Sequence, residues 1–204
     1  KKLGYIAQAF LLPFYKNISD SLQAVTMMTY GIVLAANQQY NESLDVYEEI
    51  NQKYGSVLKR DIPLQARLYT EISFNHSSMG NQKKDITSVE KAIDLMESNF
   101  DKIKLMEYIA AYNNLFYYYG EYEDNLGIKT TFLKFNTFYK AQFIKPSNTP
   151  EYYYAKRVYR KMQVNVAIVN EDLVLANKIV QQIKNEIQLS PPNEKLADIN
   201  YYLS

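Results

Sequence analysis

The chain of 204 residues has no cysteine and no tryptophan, and its only histidine is His76. Without cysteine there is no disulfide framework, no thiolate nucleophile and no cysteine metal site. A single histidine leaves little for general acid–base chemistry. His76 is followed by Ser77 and Ser78. Adjacent helical positions point in different directions, so this run is not a built nucleophile–base pair. The six glycines, at 4, 31, 55, 80, 120 and 127, assemble no phosphate-cradling loop, and no HExxH zinc motif is present. Six prolines beside them are too few for a turn-rich all-β protein. Charge of one sign is lacking as well. With 23 Lys and Arg against 22 Asp and Glu, the net charge is +1, and no global field draws the chain to nucleic acid or to an anionic membrane. These absences lead us to expect no enzyme, no cofactor and no metal.

Long apolar runs are missing too. The longest uncharged stretch, Ser21 to Asn41, is interrupted by Gln23, Thr26, Thr29, Asn37, Gln38 and Gln39. Its apolar centre, Ala24 to Ala36, falls short of the ~20 residues that a membrane span requires. Lys1 and Lys2 followed by Leu3 to Tyr15 look superficially like a secretory leader. Pro13 and the missing small-x-small cleavage pattern argue against it. We therefore expect neither a signal nor a transmembrane segment, which the cytoplasm and the periplasm accommodate equally. The chain begins without methionine and ends at Leu203-Ser204 inside a newly started helical pattern, so we expect a fragment of a longer protein.

What the sequence has is tyrosine, 20 of them, and helical punctuation. Asp20 or Ser19 can cap a helix to about Gln38, and Asn41 one that runs to Tyr54 with Gly55 as its stop. Asp61 with Pro63 opens a helix ending at Gly80. Thr87 and Glu90 fit a capping box. Asp101 opens a helix ending at Gly120, and another spans Glu123 to Phe143. Lys145-Pro-Ser-Asn-Thr-Pro150 is the clearest loop. Thr149-Pro150 caps a helix to Ile168, Glu171 to Leu189 follows, and Ser190-Pro191-Pro192 opens the last. The expectation is an all-α single domain over 1–204, built of antiparallel helix pairs at about 20–55, 61–99, 101–143 and 149–189, with a started helix at 191–204. First-helix caps recur roughly every 40 residues, the spacing of an α-solenoid. One pair cannot bury its apolar face alone, so neighbours must stack.

The turns within the pairs read Gln38-Gln39-Tyr40, Gly80-Asn81-Gln82, Gly120-Glu121-Tyr122 and Asn170-Glu171-Asp172. Seven residues before each stand Gly31, Ser73, Asn113 and Gln163, of which the first two are small. Tyr47 and Ala92 follow on the second helices. In this pattern the chain resembles the tetratricopeptide repeats, most closely over Met27 to Tyr54 and in outline over about 20 to 189, although the ~40-residue period exceeds that family's ~34 and leaves HEAT-like and other helical-repeat arrays open. The resemblance implies a right-handed superhelix whose concave groove binds a protein or peptide. It implies a scaffold, the sensory or regulatory segment of a larger protein.

Two stretches are candidates for contacting a partner. In Lys129 to Lys161, eight basic residues face a single acid, Glu151, with nine aromatic rings interleaved. Arg157, Arg160 and Lys161, at i, i+3 and i+4, share a face suited to an anion. The alternative function for this stretch is binding nucleic acid or another anionic ligand, since cations beside stacking rings suit single strands. The second stretch is the tyrosine-rich helix with Tyr108, Tyr112, Tyr117, Tyr118 and Tyr119. Three consecutive tyrosines sweep about 200°, so at least one of 117 to 119 must be exposed. Tyr108, Tyr112 and Tyr118 are taken as partner-binding, with Arg157, Arg160 and Lys161. Glu42, Asp45 and Glu49 fall on one helical face and could hold a cation or receive a basic peptide, where an ordinary solvated surface is the simpler account.

Overall fold

The computed structural model describes residues 17–203, so the leader reading of Lys1 to Tyr15 lies outside the described residues. Among these residues there are ten α-helices and no strand. They are α1 (Asp20–Ala36), α2 (Tyr40–Lys53), α3 (Gly55–Leu58), α4 (Ile62–Ser78), α5 (Gln82–Ser98), α6 (Leu105–Glu121), α7 (Asn125–Gln142), α8 (Pro150–Val169), α9 (Leu173–Leu189) and α10 (Pro192–Leu203). Helices adjacent in sequence pack together, α1 on α2, α4 on α5 and α8 on α9. No helix of the described residues is long and apolar enough to cross a membrane. The chain divides into two compact units between Ala111 and Tyr112.

Some of the expected punctuation holds. The side chains of Ser19, Asp61 and Thr149 accept from the backbone N–H groups of Leu22, Leu64 and Tyr152, satisfying donors that the first turn leaves free. Elsewhere the expectation needs correction. Asn41 lies inside α2, whose N-cap is Gln39. Gly55 does not stop that helix; Tyr54 is its C-cap and Gly55 opens the short α3. Thr87 and Glu90 are no capping box, because α5 starts at Gln82 and the Thr87 hydroxyl donates back to the Lys83 carbonyl at 2.7 Å. Asp101 sits in a 3₁₀ turn, Phe100–Lys102, ahead of α6.

Four turns share one geometry. After α1, α4, α6 and α8 the chain takes a left-handed residue, Gln38, Gly80, Glu123 and Glu171, with φ of 63°, 71°, 55° and 59°. In each, that residue's N–H donates three residues back and the next N–H donates five back, as in Asn81 to the His76 carbonyl and Asp172 to that of Ala167. This is the Schellman arrangement, which satisfies the last carbonyls of the preceding helix. The last two turns therefore centre on Glu123 and Glu171, not on the frames beginning at Gly120 and Asn170.

Counted from these turns, the core positions repeat. Ala24, Ala66, Ile109 and Arg157 occupy one register position in the first helices. Ser43, Asp85, Ile128 and Ala176 occupy another in the second helices, as do Ile50, Ala92, Phe135 and Ile183. All twelve are buried. The first unit gathers Met28, Tyr47, Ile50, Leu58 and Leu68 into its core. Neutral hydrogen bonds tie that core together. The Tyr54 hydroxyl donates to Gln23 Oε1 at 2.8 Å, and Asn75 Nδ2 donates to the Ser43 hydroxyl, which donates to the Gly31 carbonyl. In the second unit α9 brings Ile179 and Ile183 against Ala167 of α8, with Tyr202 of α10 beside them.

Candidate functional site

In the second unit, α6 and α8 line an open cleft of about 550 Å³. The turn register explains which side chains reach it. Asn113 and Lys161 hold one position in the two helices, Tyr117 and Asn165 the position a turn later, and Gly120 and Ile168 the next. Residues at i, i+4 and i+7 share a helical face, so two helices present the same face to the cleft. Tyr117 is 49% exposed there, while Tyr118 is buried, which satisfies the requirement that the run of three tyrosines cannot all be covered. Ile168 adds an exposed aliphatic surface. Asn165, which lines the cleft, donates through Nδ2 to the Lys161 carbonyl at 3.1 Å, and its amide oxygen is an acceptor of the kind a peptide N–H needs.

The candidate residues are placed as follows. Tyr108, in the first unit, is buried, meets Phe100 edge to face and donates to Glu97 at 3.2 Å. Tyr112 and Tyr118 are core residues of the second unit, Tyr112 beside Phe135 at 5.8 Å between centroids. Arg157 is buried and its guanidinium bridges Glu194 and Asp198 of α10. Burial works against its charge, but the two carboxylates outweigh this and hold its pKa above the ordinary value. Arg160 donates to both oxygens of Glu186, which also holds Lys156 Nζ at 3.1 Å. Burial would raise the Glu186 pKa, yet Arg160 and then Lys156 bring it below the usual carboxylate range. Lys161 lines the cleft, stands 5.4 Å from the Tyr201 ring centre, and pairs with no carboxylate among the described residues.

The rings of the basic stretch are interface rather than platform. Tyr159 of α8 stacks on Tyr139 of α7 at 4.2 Å and 6°, and on Phe132 at 6.0 Å. Lys134, Lys140 and Lys145 are exposed. The +7 balance of residues 129–161 is thus offset in space by Glu186, Glu194 and Asp198, which lie outside the stretch. Glu42, Asp45 and Glu49 form no group able to hold a metal ion, and no such group occurs among the described residues. Asn113, Tyr117, Asn165 and Ile168 are the cleft residues that sequence reasoning missed as a set. Their shared distance from the left-handed turn is the signal that finds them. No protein-family model, no curated protein and no solved structure matches the chain.

Proposed function

We propose that the chain is a protein-binding scaffold of the tetratricopeptide-like kind and that the cleft between α6 and α8 receives an extended segment of its partner. One observation carries the reading. Two helices present register-equivalent polar side chains, Asn113 with Lys161 and Tyr117 with Asn165, along one open cleft. Asparagine amides both donate and accept, which matches the alternating groups of a peptide backbone. Tyr117 offers a large contact at low entropic cost, and Lys161, which has a ring but no carboxylate beside it, is a cation that can meet an acidic side chain. Such a site on rigid helices loses little order on binding. A role as the sensory or regulatory segment of a larger protein belongs to the same proposal. The nucleic-acid reading has less support, because Lys156, Arg157 and Arg160 are already paired within the chain.

The test is to select binders to the chain from a displayed library of random peptides and measure them by calorimetry. Lys161→Glu or Asn165→Ala is expected to weaken the selected peptides at least about tenfold, or about 1.4 kcal/mol. Lys134→Glu, on the exposed face of α7, is expected to leave them unchanged. A library that yields no binder, or binders indifferent to both cleft substitutions, defeats the proposal. An oligonucleotide bound with steep salt dependence and released by Lys134→Glu would favour the other reading instead.

A further inference from the structure

The helix α10 docks the wrong way round for an ordinary core helix. Its packed face carries Glu194, Asp198, Tyr201 and Tyr202, at helical spacing on one side. Leu196 and Ile199 of α10 look outward, at 62% and 38% exposure. Amphipathic helices of a folded core normally do the reverse. The receiving surface is equally unusual. Arg157 fills the register position that Ala24, Ala66 and Ile109 hold in the other three first helices, so an apolar site has become a buried cation.

The contacts run in order along α10. Glu194 and Asp198, one turn apart, accept from Nη2 and Nε along one edge of the Arg157 guanidinium, and Ser190 donates to the second oxygen of Asp198 at 2.9 Å. A turn further on, the Tyr201 hydroxyl donates to Asn113 Oδ1 at 2.9 Å, and its ring lies under Lys161 Nζ. Asn113 and Lys161 are the register pair that lines the cleft. Desolvating three charges offsets much of what their pairing gains, and an interface of charges is weakened by salt.

We propose that α10 is a releasable strap that fills in cis a site on α8 and α6 for a helical protein segment bearing two carboxylates four residues apart and a tyrosine three residues after the second. It rests on the protein-binding reading and adds to the extended segment of the cleft a helical one, whose chemistry it names. Its own pattern, Glu194, Asp198 and Tyr201, describes the ligand, and a segment of the same chemistry in trans competes with it.

Hydrogen exchange of the full chain, with and without a labelled peptide copying residues 191–204, tests this. In the free chain the amides of α10 are expected to exchange at least about tenfold faster than those of α8 and α9. Arg157→Met, which restores an apolar side chain, should speed α10 alone by a further tenfold or more. The peptide should bind the full chain, speed exchange in α10, weaken as salt is raised, and lose at least tenfold in affinity when its residue equivalent to Asp198 is asparagine. Equal protection of α8, α9 and α10, or loss of protection in all three with Arg157→Met, would make α10 an integral part of the fold and overturn the proposal. Binding indifferent to the asparagine change overturns it too. Library peptides that still depend on Lys161 and Asn165 in that event leave the cleft reading standing, and the two failures are told apart.

Discussion

The two units use the same turn and the same buried register but different cement. The first is held by aliphatic packing around Tyr47 and by neutral hydrogen bonds among Gln23, Tyr54, Gly31, Ser43 and Asn75. The second is held by stacked rings and by ion pairs centred on Arg157 and Arg160. Their glycines show the contrast at close range. In the first unit the small residue, Gly31, is on the first helix of its pair and the ring, Tyr47, is on the second. In the second unit the roles are exchanged, with Tyr119 on α6 lying against Gly127 of α7. Close helix approach needs one small partner, and either helix can supply it.

Adding a methyl group therefore breaks both units, to different degrees. At Gly31 the new methyl overlaps the Tyr47 ring, which is fully buried and has nowhere to move. Gly31→Ala is expected to destabilise the first unit by about 2–3 kcal/mol, the upper part of the range for overpacking. At Gly127 the methyl overlaps the Tyr119 ring as closely, from Cδ1 to Cγ, but Tyr119 is only partly buried, so its displacement costs less burial than that of Tyr47. Gly127→Ala is expected to cost about 1 kcal/mol. Denaturant unfolding followed by hydrogen exchange assigns each loss to its unit. Equal losses would show that Tyr119 is as confined as Tyr47.

The next contrast is electrostatic. Glu71 of the first unit is half-buried, and its partner Arg67, 3.8 Å away, does not compensate, so desolvation leaves its pKa raised. Glu186 of the second unit is also desolvated, but Arg160 and Lys156 win and its pKa is lowered. The signs follow. Glu186 contributes stability above the ordinary glutamate range, which is lost as pH falls through its lowered value. Glu71 does the opposite, since the folded chain holds that proton more tightly and stability falls as pH rises through its raised value. At neutral pH, Glu186→Gln is expected to cost the second unit about 1–2 kcal/mol, and Glu71→Gln to leave the first unchanged or about 0.5 kcal/mol more stable. Both differences should fade below pH ~4. His76 adds its own slope to the first unit. Burial, then Lys84, lower its pKa against Asp85, so stability is lost as pH falls below about 6.5. Glu71 is therefore read as the difference between the chain and its Glu71→Gln variant. A neutral-pH loss at Glu71 equal to that at Glu186 would erase the contrast.

This difference in cement also decides what the sequence discloses. Ser19, Asp61 and Thr149 are legible as caps because their partners lie three residues away. Thr87 and Glu90 carry the same local signature inside a helix, where the hydroxyl instead meets the carbonyl four residues back. The small-residue rule finds Gly31 and Ser73 on first helices and then fails, because Gly127 stands on a second helix. Lys161 is legible as a cation beside the cleft. Arg157 and Arg160 look equally available in the sequence, since the acids that claim them lie 37 and 41 residues on for Arg157 and 26 for Arg160. A local charge count cannot see such partners. Asn113 and Asn165 carry no signal until the left-handed turn sets the register.

That turn supplies the smallest and most general test. A left-handed conformation costs an ordinary L residue about 1–2 kcal/mol and costs glycine almost nothing. Only one of the four turns carries glycine at the left-handed position. Gln38, Glu123 and Glu171 hold the same φ with a side chain attached. Glu171 is exposed, and replacing it removes no buried surface. Glycine there gains the conformational strain back but loosens the unfolded chain, leaving a net gain of about 0.5–1 kcal/mol for Glu171→Gly in the second unit. Gly80→Ala runs the comparison in reverse. Its new methyl would meet nothing within 4 Å, so the expected loss of about 1 kcal/mol in the first unit is purely conformational. Both are read as shifts of the denaturation midpoint at constant m-value. Opposite signs at the two positions would show that one Schellman turn closes helix pairs in both units. A loss at Glu171→Gly would mean that its carboxylate stabilises the turn by more than the strain it imposes.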